Sequence, residues 1–259
     1  MNKQVNDQDL MSKQAKNKFH FRPNYGIFVG TLNDNIVHQH YAVQLSICLN
    51  EVMKLTIDGV MDIKSSFYLN SNIPHQLICP ETQLTNLINP ISRIGYYLQH
   101  LHKPELALQV NEKIFSALSL LLRDYQIAGK NFETLCSKID LFFKGLEELF
   151  EEELGAKDDR IIKAITYLED NFAKQVSLEE VAKICFLSPS RLLHLFKEET
   201  QTTFRRYKLW NKLVKSLPSL KLQSITSTAH QFGFTDSSHY TRTFKETFGV
   251  TPKFILPKE

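Results

Sequence analysis

The spacing of hydrophobic positions changes after Pro90, and that change divides the chain. Before it, short runs rich in Val, Ile, Leu and Phe are separated by polar and turn-forming punctuation, as at Asn33-Asp34-Asn35, Asp58-Gly59 and Cys79-Pro80. The pattern predicts strands at Tyr25–Leu32, Ala42–Leu49, Val52–Ile57, Ser66–Leu69, Gln76–Cys79 and Leu84–Asn89. Short strands this closely spaced point to a sandwich or a small barrel. Beyond Pro90 the apolar residues move to helical spacing. Leu106, Val110, Ile114, Leu118, Leu121, Leu122 and Tyr125 form one stripe, with Pro104 suited to its first turn. Ala128-Gly-Lys-Asn131 interrupts it, and Leu135, Ile139, Phe142, Phe143, Leu146, Leu149 and Phe150 resume it. Two such helices joined by a short turn make a helical hairpin. Its apolar faces are wide enough to cover the sheet and leave a stripe for a partner chain.

From Asp158 onward every pattern is helical. Ile161, Ile165, Leu168 and Phe172 share one face. Ser177-Leu-Glu-Glu180 reads as a capping box, and Ser188 followed by Pro189 reads as the start of another helix. Near the end, Ala229 to Phe234 reads as a helix closing on a Gly turn, and Asp236 to Phe248 reads as a second helix. This is the layout of a helix-turn-helix, whose second helix enters a DNA groove.

Ser188–Phe204 laid over Asp236–Pro252 reveals a repeat. Ser188 falls on Asp236, Ser190 on Ser238, Leu192 on Tyr240, and His194 on Arg242. Phe196-Lys197-Glu198 falls on Phe244-Lys245-Glu246, and, with one residue fewer between, Ala182 falls on Ala229. Two tandem helix-turn-helix units follow. With Phe196 and Phe244 anchored inward, Ser190, Arg191, Leu193, His194 and Lys197 face out in the first unit. Ser237, Ser238, His239, Arg242 and Lys245 face out in the second. Gly233 allows a turn at positive φ. Phe186 stands in its place in the first unit, which implies a turn built differently there. A connecting helix from about Phe204 to Leu217 can hold the two readers about one DNA turn (~34 Å) apart.

Charge agrees with this division. Residues 157–259 hold 17 Lys and Arg against 11 Asp and Glu, while residues 1–156 hold 14 against 17. A basic half joined to a mildly acidic one fits a chain of which one part meets phosphates. The domains predicted are a flexible polar tail at 1–18, a β-rich domain with the hairpin at 19–155, and a double helix-turn-helix domain at 156–259. No apolar run is long enough to span a membrane. Cys48, Cys79, Cys136 and Cys185 are scattered, which fits reduced thiols in a cytoplasmic protein.

The motif Ala229-x3-Gly233-Phe234-x-Asp236-x-Ser238-x-Tyr240-x-Arg242-x-Phe244-Lys245-x2-Phe248-Gly249-x-Thr251-Pro252 resembles the signature of the AraC/XylS family of bacterial transcription regulators. Ser188-Pro-Ser-x-Leu192-x3-Phe196 is similar to the family's first motif. The resemblance is strong over about 158–256. It extends faintly to the front half, which looks like a cupin-like antiparallel β-barrel or sandwich, giving an α+β chain overall. It implies base reading by Ser190, Leu193 and His194 in the first unit and by Ser237, Ser238, His239 and Arg242 in the second. Arg205, Arg206, Lys208, Lys197 and Lys245 would touch phosphates. It further implies a sequence-specific activator, double-stranded DNA and RNA polymerase as partners, a homodimer, and a small-molecule effector held by the front domain. Gln201 stands where the family's first motif has Gly, which implies that this helix ends differently.

A competing reading starts from His38, His40 and His75. A His-x-His pair on a strand points both rings to one face, as a metalloenzyme or metal sensor needs, and Glu51 offers a carboxylate. A third reading makes the front half a dimerisation module alone. No phosphate loop of the GxxxxGK[ST] type is present. The leading reading is a regulator that is not an enzyme and needs no cofactor.

Overall fold

The computed structural model describes residues 17–101, 112–127, 129, 131–149, 158–174 and 176–256, with the Leu149 side chain excluded. The tail before Asn17, the positions Pro104, Leu106, Val110 and Phe150, and the domain boundary at Gly155-Ala156 lie outside the described residues.

Among the described residues the front half is an antiparallel β-structure of seven strands: β1 Lys18–Phe21, β2 Tyr25–Leu32, β3 Val43–Cys48, β4 Met53–Ile57, β5 Val60–Lys64, β6 Ser66–Leu69 and β7 His75–Ile88. One path runs β1-β2-β7-β3-β6, and β4 joins β5 to the opening residues of β7. Three expectations change. Lys18 belongs to β1 rather than to the tail. Val60–Lys64 is a strand, formed where Asp58 and Gly59, both at positive φ, turn the chain back on β4. Gln76–Cys79 and Leu84–Asn89 are not two strands but one, β7. Pro80 does not break it, because there the strand leaves β4 and enters the ladder between β2 and β3, and the residue is exposed.

β7 therefore belongs to both layers. Met53, Leu55, Phe67, Leu69 and Leu77 fill the space inside the bend. Val43, Leu45, Ile47 and Leu84 face the helices α1 Arg93–Leu101, α2 Glu112–Ile127 and α3 Phe132–Leu149, whose Leu118, Leu122, Ile139 and Phe143 complete a second core. The helical hairpin expected at this place is α2 and α3, and α1 is a further helix before it. All four cysteines are free and buried.

The back half is α-helical: α4 Asp159–Asp170, α5 Leu178–Ile184, α6 Pro189–Thr200, α7 Phe204–Ser216, α8 Ile225–Gln231 and α9 Ser237–Phe248. The capping box at Ser177 and Glu180 is formed in both directions. The halves are packed together. Tyr41 sits in the core of the helical half, edge-on to Tyr207 and Trp210, and donates its hydroxyl to the Thr200 carbonyl at 3.0 Å. Phe19 and Phe28 pack on Phe254.

Candidate nucleic-acid interface

Two helix-turn-helix units, α5–α6 and α8–α9, repeat down to their hydrogen bonds. Ser188 caps α6 by accepting from the Arg191 N–H, and Asp236 caps α9 by accepting from the His239 N–H at 2.8 Å. Leu187 N–H donates to the Ala182 carbonyl at 2.9 Å, and Phe234 N–H donates to Ala229 at 2.9 Å. Gln201 N–H donates to Lys197 at 2.9 Å, and Gly249 N–H donates to Lys245 at 2.9 Å. The turns correspond too. Phe186 has φ 55 where Gly233 has φ 69, and Gln201 has φ 57 where Gly249 has φ 74.

These values correct two expectations. The first unit's turn is not built differently, and α6 does not end differently. Side chains are forced into the left-handed conformation that the second unit gives to glycine, at ~1–2 kcal/mol each. The strain yields a prediction. Phe186 is 88% exposed, with Lys163 over its ring, so removing it sacrifices little packing. Phe186→Gly is expected to gain about 1 kcal/mol and to raise the melting temperature by ~2–4 °C. A melting scan showing no rise would contradict a strained turn.

The outward faces are exposed as expected, except at Ser237 and His239. Ser190, Leu193, His194 and Lys197 on α6 are exposed, as are Arg205 and Arg206 on α7. On α9 Ser238, Arg242 and Lys245 are exposed, while Ser237 and His239 are half-buried, the His239 ring lying edge-on to Phe234. Lys208 is an exception among the phosphate candidates: its ammonium donates inward to the Val176 carbonyl. Lys212 likewise donates to the Gly233 carbonyl at 3.1 Å and braces the second turn. Ser216 Oγ pairs with the Tyr240 hydroxyl at 2.7 Å, tying the connector α7 to α9.

Behind this interface lies a cavity of about 520 Å³ between the sheet and the helical half. Its helical wall carries Trp210 and Val214 from α7 and Phe244 and Phe248 from α9, the inner face of the second reader. Its sheet wall is mixed, with Ile27, Phe28, Leu77 and Leu87 beside the polar Gln44, Thr85 and three histidines. His40 Nε2, Gln44, Ser46 and Thr85 form a buried chain with successive distances of 2.9, 2.9 and 2.8 Å. Sequence patterning singled out His40 but missed Gln44, Ser46 and Thr85. Gln44 and Ser46 alternate with Val43, Leu45 and Ile47, and such alternation reads as a solvent face whether water or a cavity lies beyond it.

His38, His40 and His75 come together at this wall, all buried, with ring centroids 4.3 to 5.8 Å apart. The expected strand placement of His38 and His40 is not observed. His38 makes one isolated bridge with His75, and His40 lies in the segment leading to β3. Glu51 is exposed and not among the cluster. Burial drives the His38 imidazole down to about 4 and His75 to about 2, and lowers His40, so all three are neutral at pH 7.

A helix-turn-helix domain family matches residues 181–256. The chain is 30% identical over 179 residues to the HTH-type transcriptional activator RhaS of Enterobacter sp. (strain 638), covering 66% of this chain and 62% of that one. It is 30% identical over 167 residues to RhaS of Escherichia fergusonii, covering 62% and 58%. The match thus spans less than two thirds of these relatives. Among solved structures, ToxT from Vibrio cholerae O395 aligns with a TM-score of 0.57 at 14% identity, covering 90% of this chain and 98% of that one. Wild-type ToxT from Vibrio cholerae strain SCE256 with an unsaturated fatty acid bound aligns with a TM-score of 0.57 at 14% identity, covering 91% and 96%. At that identity the likeness concerns the fold.

Proposed function

We propose that this chain, which belongs to the AraC/XylS family of transcription regulators, activates transcription by placing α6 and α9 in successive major-groove segments of double-stranded DNA. The observation that carries this reading is the duplicated reader: two helices with matching caps, matching ends and polar outward faces. The connector α7 has 13 residues, about 20 Å of rigid rod, which suits readers set roughly one DNA turn apart. Arg242 is the residue best suited to bidentate recognition of guanine, and Leu193 to contact with a thymine methyl. Ser190, His194, Ser237, Ser238 and His239 supply adaptable hydrogen bonding, and Lys197, Arg205, Arg206 and Lys245 supply phosphate contacts.

Control is assigned to a small effector in the interdomain cavity. An apolar molecule with one polar end fits a space lined largely by apolar and aromatic residues of both halves, with Gln44, Thr85 and the histidines as a polar patch on the sheet side. Such a molecule touches Phe244 and Phe248 directly, so its binding energy depends on where α9 sits. The fatty acid bound by ToxT has this chemistry, and it supports the class of molecule without naming one. Leu120, Ile127 and Leu141 stay exposed on the hairpin and suit a homodimer contact. RNA polymerase is the partner an activator needs. Among the described residues no helix is long and apolar enough to cross a membrane, and a cytoplasmic setting is proposed with the DNA target. The reading assigns no catalytic step.

The test is selection of bound duplexes from a random pool at moderate salt. Wild type is expected to enrich a two-part site. Arg242→Ala is expected to lose about 1–3 kcal/mol of discrimination, roughly 5–150-fold, at one base step, leaving the other part of the site intact. A wild-type chain with no sequence preference sinks the proposal.

A further inference from the structure

The histidine cluster is organised beyond what packing requires. His38 N–H donates to the His75 carbonyl at 2.9 Å and His75 N–H to the His38 carbonyl at 2.8 Å, which locks two of the rings side by side. Each ring then meets a carbonyl two residues away through Nδ1: His38 with Ile36, His40 with Ala42 and His75 with Ile73, all at 2.9 Å. A neutral imidazole has one N–H to donate, and a carbonyl only accepts. Nδ1 therefore carries the proton on every ring, and every Nε2 keeps a lone pair.

Those lone pairs are poorly served by the protein. His75 Nε2 is buried without a hydrogen-bond partner. An orphaned acceptor at such depth is costly, which calls for a reason. His40 Nε2 sits 2.9 Å from Gln44 Oε1, acceptor against acceptor unless the amide is turned about. One ring nitrogen from each of the three residues lies within 4.8 Å of the others. Ligands at ~2.0–2.1 Å from one tetrahedral ion stand about 3.4 Å apart, so small ring rotations close the set. Carbonyl-fixed Nδ1–H groups are the outer support that orients metal-binding imidazoles. All three rings also border the cavity of about 520 Å³.

We propose that His38, His40 and His75 hold one divalent transition-metal ion of the zinc class, with its fourth position open to the interdomain cavity. The donor set is three imidazoles with no carboxylate, which favours zinc and its neighbours over calcium or magnesium. An open fourth position accepts water, or a carboxylate or similar oxygen donor at the polar end of a cavity ligand. The site stands whether or not α6 and α9 read DNA. Its placement bears on them nonetheless. Ile36 N–H donates to the Gly249 carbonyl at 3.1 Å, and Asn72 Nδ2 reaches the Gln201 carbonyl at 3.4 Å, so the segments carrying the histidines rest on the C-terminal ends of both reader helices. An ion there stiffens the seat on which both helices rest.

Untagged full-length chain, stripped with chelator and dialysed, is titrated with zinc chloride and separately with cobalt chloride. Zinc is expected to saturate at one equivalent per chain and to raise the melting temperature, because it binds the folded site. Cobalt is expected to give visible d–d bands without the near-ultraviolet charge transfer of thiolate ligation. His75→Gln and His38→Gln are expected to weaken zinc binding by ~100-fold or more, since even an outer-shell partner is worth about 10–100-fold. His100→Gln, on the exposed end of α1, should bind as wild type does. Circular dichroism of each variant establishes that it is folded. Absence of saturable binding in the wild-type chain, thiolate bands with cobalt, or unchanged affinity in folded His75→Gln would each overturn the site.

Discussion

Phe244→Ala is expected to cost about 3–5 kcal/mol and to abolish binding to the half of the DNA site read by α9. The ring is fully buried, packed on Phe248 at 4.8 Å and Tyr240 at 5.9 Å. It centres a cluster formed with Leu213, Leu217, Phe232, Phe234 and Ile255, which together fix the angle of α9. Removing it leaves a void that the surrounding helices fill only in part. Phe196→Ala, at the corresponding place in the first unit, should cost a similar amount and spare the second half-site. The two differ in one respect: Phe244 borders the interdomain cavity and Phe196 does not. Phe244→Ala should therefore also change which cavity ligands raise the melting temperature. Chemical denaturation at constant m gives the stability loss, and half-site duplexes give the binding loss. A Phe244→Ala chain that still binds both half-sites would separate the cluster from the orientation of α9.

Much of this was legible beforehand because the signals are carried by residue type at fixed offsets. Ser177 with Glu180, Ser188 with Pro189, and Asp236 announce helix starts through the donors they can satisfy, and each does so. The pairing of Phe196 with Phe244 and of Lys197 with Lys245 exposed the repeat. Legibility failed where residue type misleads. Phe186 and Gln201 adopt positive φ that their side chains disfavour, because the geometry of the unit overrides local preference. Val60, Met61 and Ile63 lie outward on β5 as an exposed apolar edge, so β5 lacks the alternation of a half-buried strand. Pro80 reads as a terminator until the change of partner strand along β7 is seen. The cavity was invisible for a deeper reason. Its walls come from segments far apart in sequence, and neither Tyr41 against Thr200 nor Ile36 against Gly249 leaves a mark on local pattern.

Gly249→Ala is the substitution that measures that hidden contact. At the corresponding position α6 ends in Gln201, an exposed residue at φ 57, so the helix end tolerates a side chain. Local strain at Gly249, with φ 74, accordingly amounts to only about 1–2 kcal/mol. What distinguishes Gly249 is its neighbour in the other half of the chain. A Cβ there would stand 2.5 Å from His38 Nδ1, 2.9 Å from Cε1 and 3.0 Å from Cγ. The ring cannot simply retreat, since Nδ1 is held by Ile36 and the backbone is bridged to His75. Overpacking adds about 1–3 kcal/mol, and the cheapest relief is for the end of α9 to part from the sheet domain. Gly249→Ala is therefore expected to lose about 2–5 kcal/mol of stability in the whole chain, to break the Ile36–Gly249 hydrogen bond, and to open the cavity. Gln201→Ala, which adds no atom, should change stability little. Melting scans of both variants, with amide hydrogen exchange at Ile36, provide the comparison. A Gly249→Ala cost of no more than the local strain, with Ile36 still protected, would mean that α9 and the sheet are not coupled through this contact. The full cost with Ile36 released would mean that the sheet domain helps to set where the second reader helix points.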